Sequence, residues 1–259
     1  MSRASKHYPD FEILVGSGKI HGVSSFSKFG RNGDIDTGTI PEEIWNGGGL
    51  RYYPTSAETT HLVSSSTDDD VAGTGALTVR VIGLDADYNY LEEDVIVTGT
   101  TPVVLTNKFL RADRAHVLTA GSTGAAQGDI DVYHANNTTE KMIDMPAGRN
   151  QTAITGFTVP KDHVLLINRI SVGIIRSAGT VTSEFIIESR EADGVWRTKQ
   201  FFGPAGSGSS FLISGSPTSF IKFDEMTDIR ITCIYSSANN VVGIGSYDGY
   251  LIDKREFSF

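Results

Sequence analysis

Few residue groups in this chain have both the types and the spacing that chemistry requires. Asp85-Ala-Asp-Tyr-Asn89 opens like a calcium loop, with oxygen-bearing side chains at alternate positions. Such a loop needs Gly at its sixth position for a sharp bend and a bidentate Glu at its twelfth, where this chain has Tyr90 and Ile96. The segment therefore reads as a β-turn in which Asp and Asn accept local backbone hydrogen bonds. Asp68, Asp69 and Asp70 could hold a hard cation, but read as a solvated loop tip. His7, His21, His61, His116, His134 and His163 show no zinc-motif spacing, and Cys233 has no second cysteine to join. No metal and no cofactor are expected.

Nucleophilic catalysis has no better footing. No serine sits in Gly-x-Ser-x-Gly, and the Gly/Ser run at 203–210 lacks the Gly-Lys-Ser/Thr ending of a phosphate loop. Cys233 shares a strand face with Ile229, Ile231 and Tyr235, where a free thiol is a small, inert hydrophobe. A glycosidase needs two carboxylates set roughly 5–10 Å apart across a cleft. Glu92, Glu93 and Asp94, or Glu188 and Glu191, are acids that nothing in the sequence singles out for that task. The chain is expected not to be an enzyme.

The chemistry left to consider is recognition by apolar surface. Trp45, Tyr52 and Tyr53 cluster beside Gly47-Gly-Gly49, and Phe26 and Phe29 stand alone in a polar stretch. Trp196, Phe201 and Phe202 border a strand that also carries Arg197 and Lys199. Exposed aromatics of this kind anchor an interface or bind a sugar face, and packing into the chain's own core is the equal alternative. All eight aromatics are candidate interface residues.

The elements that hold these residues read as strands throughout. Hydrophobic residues make up 39% of the 259, enough for a packed but thin core, as in β-sandwiches whose strands give one face to the interior. Short alternating runs at 60–64, 77–82, 92–98, 101–106, 114–119 and 128–133 form a first β region. Runs at 153–158, 164–172, 183–188, 196–202, 220–223, 229–235 and 247–252 form a second. Asp193-Gly194 marks a type I′ hairpin turn. The one helix signal is Thr39 as cap, Pro41 in the first turn and Glu42 and Glu43 at the positive end, stopped by Gly47.

The expected fold is all-β, with β-sandwich or jelly-roll-like domains: an extended, irregular N-terminal arm over 1–50 with its best strand at 11–15, a first sandwich over 51–146, and a second over 147–259. The arm, carrying Phe26, Phe29 and Trp45, is expected to fold against a partner rather than its own chain, so that deleting 1–36 would spare both sandwiches. The 31 acidic against 22 basic residues, with no Lys/Arg run, argue against a nucleic-acid partner. No segment approaches the ~18 apolar residues of a membrane span, and none reads as a signal peptide. With one cysteine the chain has no internal disulfide and suits a reducing cytoplasm.

A resemblance runs from residue 29 to residue 162. Phe-Gly-Arg-Asn-Gly-Asp-Ile-Asp at 29–36, Ile-Pro-Glu-Glu-Ile-Trp-Asn-Gly-Gly-Gly at 40–49 and Tyr-Pro-Thr at 53–55 are followed by blocks at 70–76, 81–88 and 99–102. Val-Pro-Lys-Asp at 159–162 then precedes a long strand. This pattern resembles virion structural proteins of tailed bacteriophages, of the capsid decoration (cement) or tail-associated kind. The resemblance implies location in the virion, assembly in the host cytoplasm, and the major capsid protein or another virion protein as partner; it carries no catalytic residues. A decoration protein would bridge neighbouring capsid subunits. The alternatives are a tail-associated or head-fibre protein that binds a host glycan and, from another class, a glycan-cleaving enzyme. Apolar residues on the edge strand at 196–202 point to a defined oligomer, with a homotrimer expected first and a dimer second.

Overall fold

The computed structural model describes residues 10–135, 137–177, 179–203, 210–217 and 219–257. The central part of the Gly/Ser run expected as a loop, 204–209, lies outside the described residues. In chain order the elements are α1 (Phe11–Gly16), β1 (Val23–Ile35), β2 (Glu42–Glu43), β3 (Thr60–Ser64), β4 (Ala76–Leu84), β5 (Tyr90–Ile96), β6 (Val103–Val104), β7 (Arg111–Ala120), β8 (Ile130–His134) and β9 (Asn137–Met145). Then come β10 (Phe157–Thr158), β11 (His163–Ile175), β12 (Ser183–Arg190), β13 (Arg197–Phe202), β14 (Ser210–Gly215), β15 (Ile221–Phe223), β16 (Asp228–Ser236) and β17 (Val241–Asp253). The all-β expectation holds, and every strand pairing is antiparallel.

Among the described residues four sheets enclose two cores. The order β6-β3-β8-β9 faces β5-β4-β7, and the two bury Leu62, Val79, Val81, Ala115, Ile130, Val132 and Ile143 between them. The order β1-β17-β11-β14, with β15 also on β11, faces β10-β16-β12-β13, with β2 on β16. These two bury Ile35, Ile167, Val172, Phe185, Ile187, Ile231 and Tyr247. Each is a sandwich, but neither is a jelly roll, which interleaves eight strands through two Greek keys. Here β4/β5 and β8/β9 are plain hairpin neighbours in a four-on-three stack.

The N-terminal arm is a correction. β1 is a strand of the second sandwich, paired with β17 from Val23↔Ile252 to Ile35↔Val241. Ile35 is fully buried in that core, and β2 joins the opposite sheet at Thr232↔Glu43 and Cys233↔Glu42. The first sandwich is therefore inserted into the second, between β2 and β10. The chain leaves and returns along two adjacent segments, bridged at Trp45↔Ile154 and by Thr155 N–H to the Ile44 carbonyl at 3.1 Å. Gly30 of β1 packs so closely on them that a Cβ would fall 2.1 Å from the Ile44 oxygen and 2.6 Å from the Thr155 nitrogen. Deleting residues 1–36 is now expected to abolish folding of the second sandwich. It removes the strand paired with β17 along its length and, with Ile35, a core side chain whose burial alone contributes about 1.5–3 kcal/mol. Near-ultraviolet circular dichroism of the deletion checks this; a native spectrum with a cooperative melt would contradict it.

Two local expectations exchange places. The 11–15 run forms helix α1 instead of a strand, since a short apolar run fits either period until tertiary packing chooses. Val15 seats α1 on the outward-facing Tyr250 and Ile252. The 39–45 segment forms no helix. Thr39 does meet a glutamate three residues on, but the Glu42 carboxylate folds the loop around itself, accepting from Thr39 Oγ1, Asp36 N–H, Asn32 Nδ2 and Gly49 N–H. At the β12–β13 connection the turn closes by Gly194 N–H to the Glu191 carbonyl, and Asp193, at φ 58°, takes the left-handed conformation. The turn thus lies one residue earlier than the Asp-Gly signal implies.

Candidate functional site

Where the two sandwiches meet, charge is buried in quantity. On β16, Ile229, Ile231 and Cys233 point into the core, so by alternation Asp228, Arg230 and Thr232 point to the other face. That face meets the inserted sandwich and not water, and all six residues are buried. Asp228 accepts Arg111 of β7 through Nε at 2.8 Å and Nη2 at 2.9 Å, a two-pronged pair between the sandwiches. It also accepts Arg190 Nη2 at 2.5 Å and Thr158 Oγ1 at 2.6 Å. Burial pushes the Asp228 carboxyl up, but the Arg111, Thr158 and Arg190 hydrogen bonds outweigh it and hold the group below the usual carboxylate range.

A second set surrounds Arg51, on the outgoing segment. Its Nη2 reaches Asp113 Oδ1 at 3.1 Å, its Nη1 donates to the Ala112 carbonyl at 3.0 Å, and its Nε stands 3.7 Å from Glu43 Oε1. Glu43 is fully buried and accepts the Tyr53 hydroxyl at 3.0 Å; burial pushes its carboxyl up against the opposing pull of Arg51 and Arg230. Arg230 Nε donates to Glu188 Oε1 at 2.7 Å, and Lys28 of β1 donates its amine to the Asp113 main-chain carbonyl. The junction thus holds Lys28, Arg51, Arg111, Arg190 and Arg230 against Glu43, Asp113, Glu188 and Asp228.

Two aromatics tie these ion pairs together. The guanidinium carbons of Arg51, Arg190, Arg111 and Arg230 lie 4.5, 5.4, 5.5 and 5.9 Å from the centre of the Tyr53 ring. Trp196 stacks under Arg230 at 3.9 Å and meets Tyr53 edge-on at 5.3 Å. Stacking on a ring face gives a desolvated guanidinium part of what it loses on leaving water.

The eight aromatics chosen from sequence separate into groups. Trp45 and Phe202 are core residues, and half-buried Phe26 packs into the core against Phe157 at 4.7 Å between ring centres. These three are corrected as interface residues, because the isolated apolar positions are filled by the chain itself. Tyr53 and Trp196 do form an interface, within the molecule. Tyr52 is half-buried with its hydroxyl 3.2 Å from both Glu58 oxygens. Phe29 and Phe201 remain exposed, at 39% and 65%. The ionic partners were missed: alternating charged residues in a strand are indistinguishable, by sequence, from a solvated face.

Four of the five acids weighed for catalysis are engaged elsewhere, and the fifth, Glu191, is exposed. Glu92 and Asp94 hold Arg80 at 3.2 and 2.6 Å, Glu93 caps the N–H groups of Thr106 and Asn107, and Glu188 serves Arg230 and Thr232. A cleft of about 270 Å3 opens at the junction beside Tyr88 and Asp193, but its arginines, Arg111 and Arg190, are already bound to Asp228. Burial raises the Cys233 thiol to about 12, which leaves it protonated and unreactive. Among the described residues no group of three or more His, Cys, Asp or Glu is placed to hold a metal ion, and no helix is long and apolar enough to cross a membrane.

The two acidic loops behave differently. Asp85 Oδ1 accepts the N–H groups of Asp87 and Asn89 at 2.8 and 2.9 Å, which makes a closed turn with Tyr88 at φ 62°. Asp87 takes no part through its side chain, so Asp87→Ala should leave the melting temperature within about 1 °C, with or without chelator, as expected of a neutral surface change. A calcium-dependent shift in scanning calorimetry would contradict this. Asp69, read as a loop tip, is fully buried and is corrected to a structural anchor. Its carboxylate accepts Ala76, Gln127 and Gly128 N–H at 2.7, 2.8 and 2.8 Å and the Ser64 hydroxyl at 2.5 Å.

No family model matches the sequence, and no curated protein matches it. Among solved structures, those of the Gx and Gt strains of infectious bursal disease virus are 9% and 10% identical, with TM-scores of 0.26 and 0.25. They cover 90% and 91% of this chain and 73% and 74% of theirs. A VP2 subviral particle of the same virus gives a TM-score of 0.25 at 9% identity, over 89% of this chain and 72% of that one. Similarity at that level carries no argument about this chain's fold or role.

Proposed function

We propose that this chain is a non-enzymatic structural component of a tailed-phage virion, a capsid decoration protein that bridges neighbouring major capsid subunits. The observation that carries the reading is the junction. Two sandwiches are fixed to each other by buried ion pairs and a double chain crossing, and the junction's carboxylates serve arginines of the same molecule. Such a site does no chemistry; it sets the angle between two bodies. A protein that spans two capsid subunits must hold that angle under load, and a paired, desolvated junction resists bending where a single flexible linker would not. The sequence resemblance over 29–162 supports the virion setting, and the net charge of -9 suits an outward face that does not bind the packaged genome.

The partner surface on this reading includes the exposed Phe201 and the side of β13 that pairs with no strand among the described residues. Three copies around a local threefold axis would cover it. A cryo-electron microscopy map of the particle tests location, copy number and symmetry together. Density for both sandwiches across capsid-subunit boundaries is the expected result. Density confined to the tail, or none on the particle, would overturn it.

A further inference from the structure

We propose that Lys28 makes the junction between the sandwiches sensitive to pH, closing it when the amine is neutral and loosening it when the amine carries a proton. Lys28 is 4% exposed, and among the described residues its amine makes one hydrogen bond, to the Asp113 main-chain carbonyl. The carboxylate of the same Asp113 is turned to Arg51 and to the Thr158 N–H at 3.1 Å each, so it is not paired directly with the lysine. With five bases and four acids in the junction, a protonated Lys28 is the charge left without an anion. A buried charge without a partner costs several kcal/mol or sheds its proton.

The groups that act on the amine come from every side. From β7, Asp113 attracts its charge and Arg114 repels it; Arg51 repels it from the outgoing segment, and Glu43 attracts it from β2. Tyr247, its ladder partner on β17, donates its hydroxyl to the Thr155 carbonyl at 2.7 Å and, buried, stays protonated. Burial is the largest influence and pushes the amine down to about 7 from its ordinary 10.5. In an opened junction water reaches the amine and the ordinary value returns.

The direction follows from linkage. Between about 7 and 10.5, closing the junction releases a proton, so each pH unit in that window favours the closed form by about tenfold. Below about 7 both forms keep the proton, and the closed form carries its full, constant penalty. The junction therefore tightens as pH rises through neutrality. That sense is the same as for the Asp228 carboxylate, whose contribution is also lost as pH falls, but the window lies several units higher.

The test uses the full chain and Lys28→Met, which keeps the length of the side chain without its charge. Carbon-13 NMR of the lysine ε-methylenes should show one lysine titrating near pH 7 and absent from the variant; titration of every lysine above about 9 would overturn the proposal. Amide hydrogen exchange, compared at matched pH, is the second readout. At about pH 6.5 the junction amides of Ala115 and Thr158 should exchange faster in the wild type than in Lys28→Met, with the ratio falling about tenfold per pH unit above about 7, roughly thirtyfold by about pH 8.5. Parallel profiles in the two proteins would refute the device. Equal changes at the core amides of Val172 and Ile187 would refute it too, because they would show an effect on global stability. Should the variant fail to fold, the wild-type lysine titration alone decides.

Discussion

Asp228→Ala should destabilise the protein by about 3–5 kcal/mol, the usual cost of removing one partner from a buried ion pair. The reason is what stays behind. Arg111 and Arg190 keep their charges in a junction from which water is largely excluded, and Thr158 loses an acceptor. Replacing both sides with apolar residues would cost far less, since the pair is bought with desolvation on each side. Urea denaturation checks the figure as a lower midpoint. Because Asp228 joins the two sandwiches, a second transition should also appear as the inserted sandwich and its host unfold separately. The pH dependence has a defined sign. The folded carboxyl lies below its ordinary value, so its contribution is complete above about pH 4 and is lost as the pH falls through the folded value. The gap between wild type and variant should be constant from pH 6 to 8 and narrow below 4. A gap that persists in strong acid, or one under 1 kcal/mol at neutrality, would contradict this account of the junction.

Asp69→Ala is the second large effect, within the inserted sandwich alone. Removing the carboxylate orphans three backbone N–H groups and the Ser64 hydroxyl, and each buried unpaired donor costs about 1–3 kcal/mol. Some of these groups will find water once the loops relax, so about 3–5 kcal/mol is expected in total. Asp69→Asn should recover part of it, because one oxygen is kept while the amide nitrogen faces donors instead of acceptors. Calcium should rescue neither variant. Thermal melts of the two proteins decide the order; an alanine variant as stable as wild type would show that the loops at 66–75 and 121–128 hold without their anchor.

The sequence was legible where local physics governs. Alternation in 77–82 and 128–133 placed Val79, Val81, Ile130 and Val132 inside, because the period of two is a property of the strand itself. The Asp85–Asn89 turn was readable for the same reason: short polar side chains bonding to backbone two residues on need no partner from elsewhere. The short run at 11–15 was not, since so few residues satisfy a helix or a strand equally and the choice fell to the sheet face beneath Val15.

The sequence by itself determined an all-β chain, the approximate position of most strands and the burial of Cys233. It did not determine which strands share a sheet. β1 meets β17 more than two hundred residues away, and no local rule links them, so a core strand read as a loose arm. Nor did it reveal the junction. Asp228-Ile-Arg-Ile-Thr-Cys233 announces two faces, one apolar and one polar, and both readings of the polar face are consistent with that pattern. Whether such a face meets water or the opposite charges of another sandwich depends on where the chain returns in space. Only the tertiary structure brought Arg111 to Asp228 and Arg51 to Asp113, and only there did burial turn ordinary surface-type residues into the group that fixes the two halves of the molecule together.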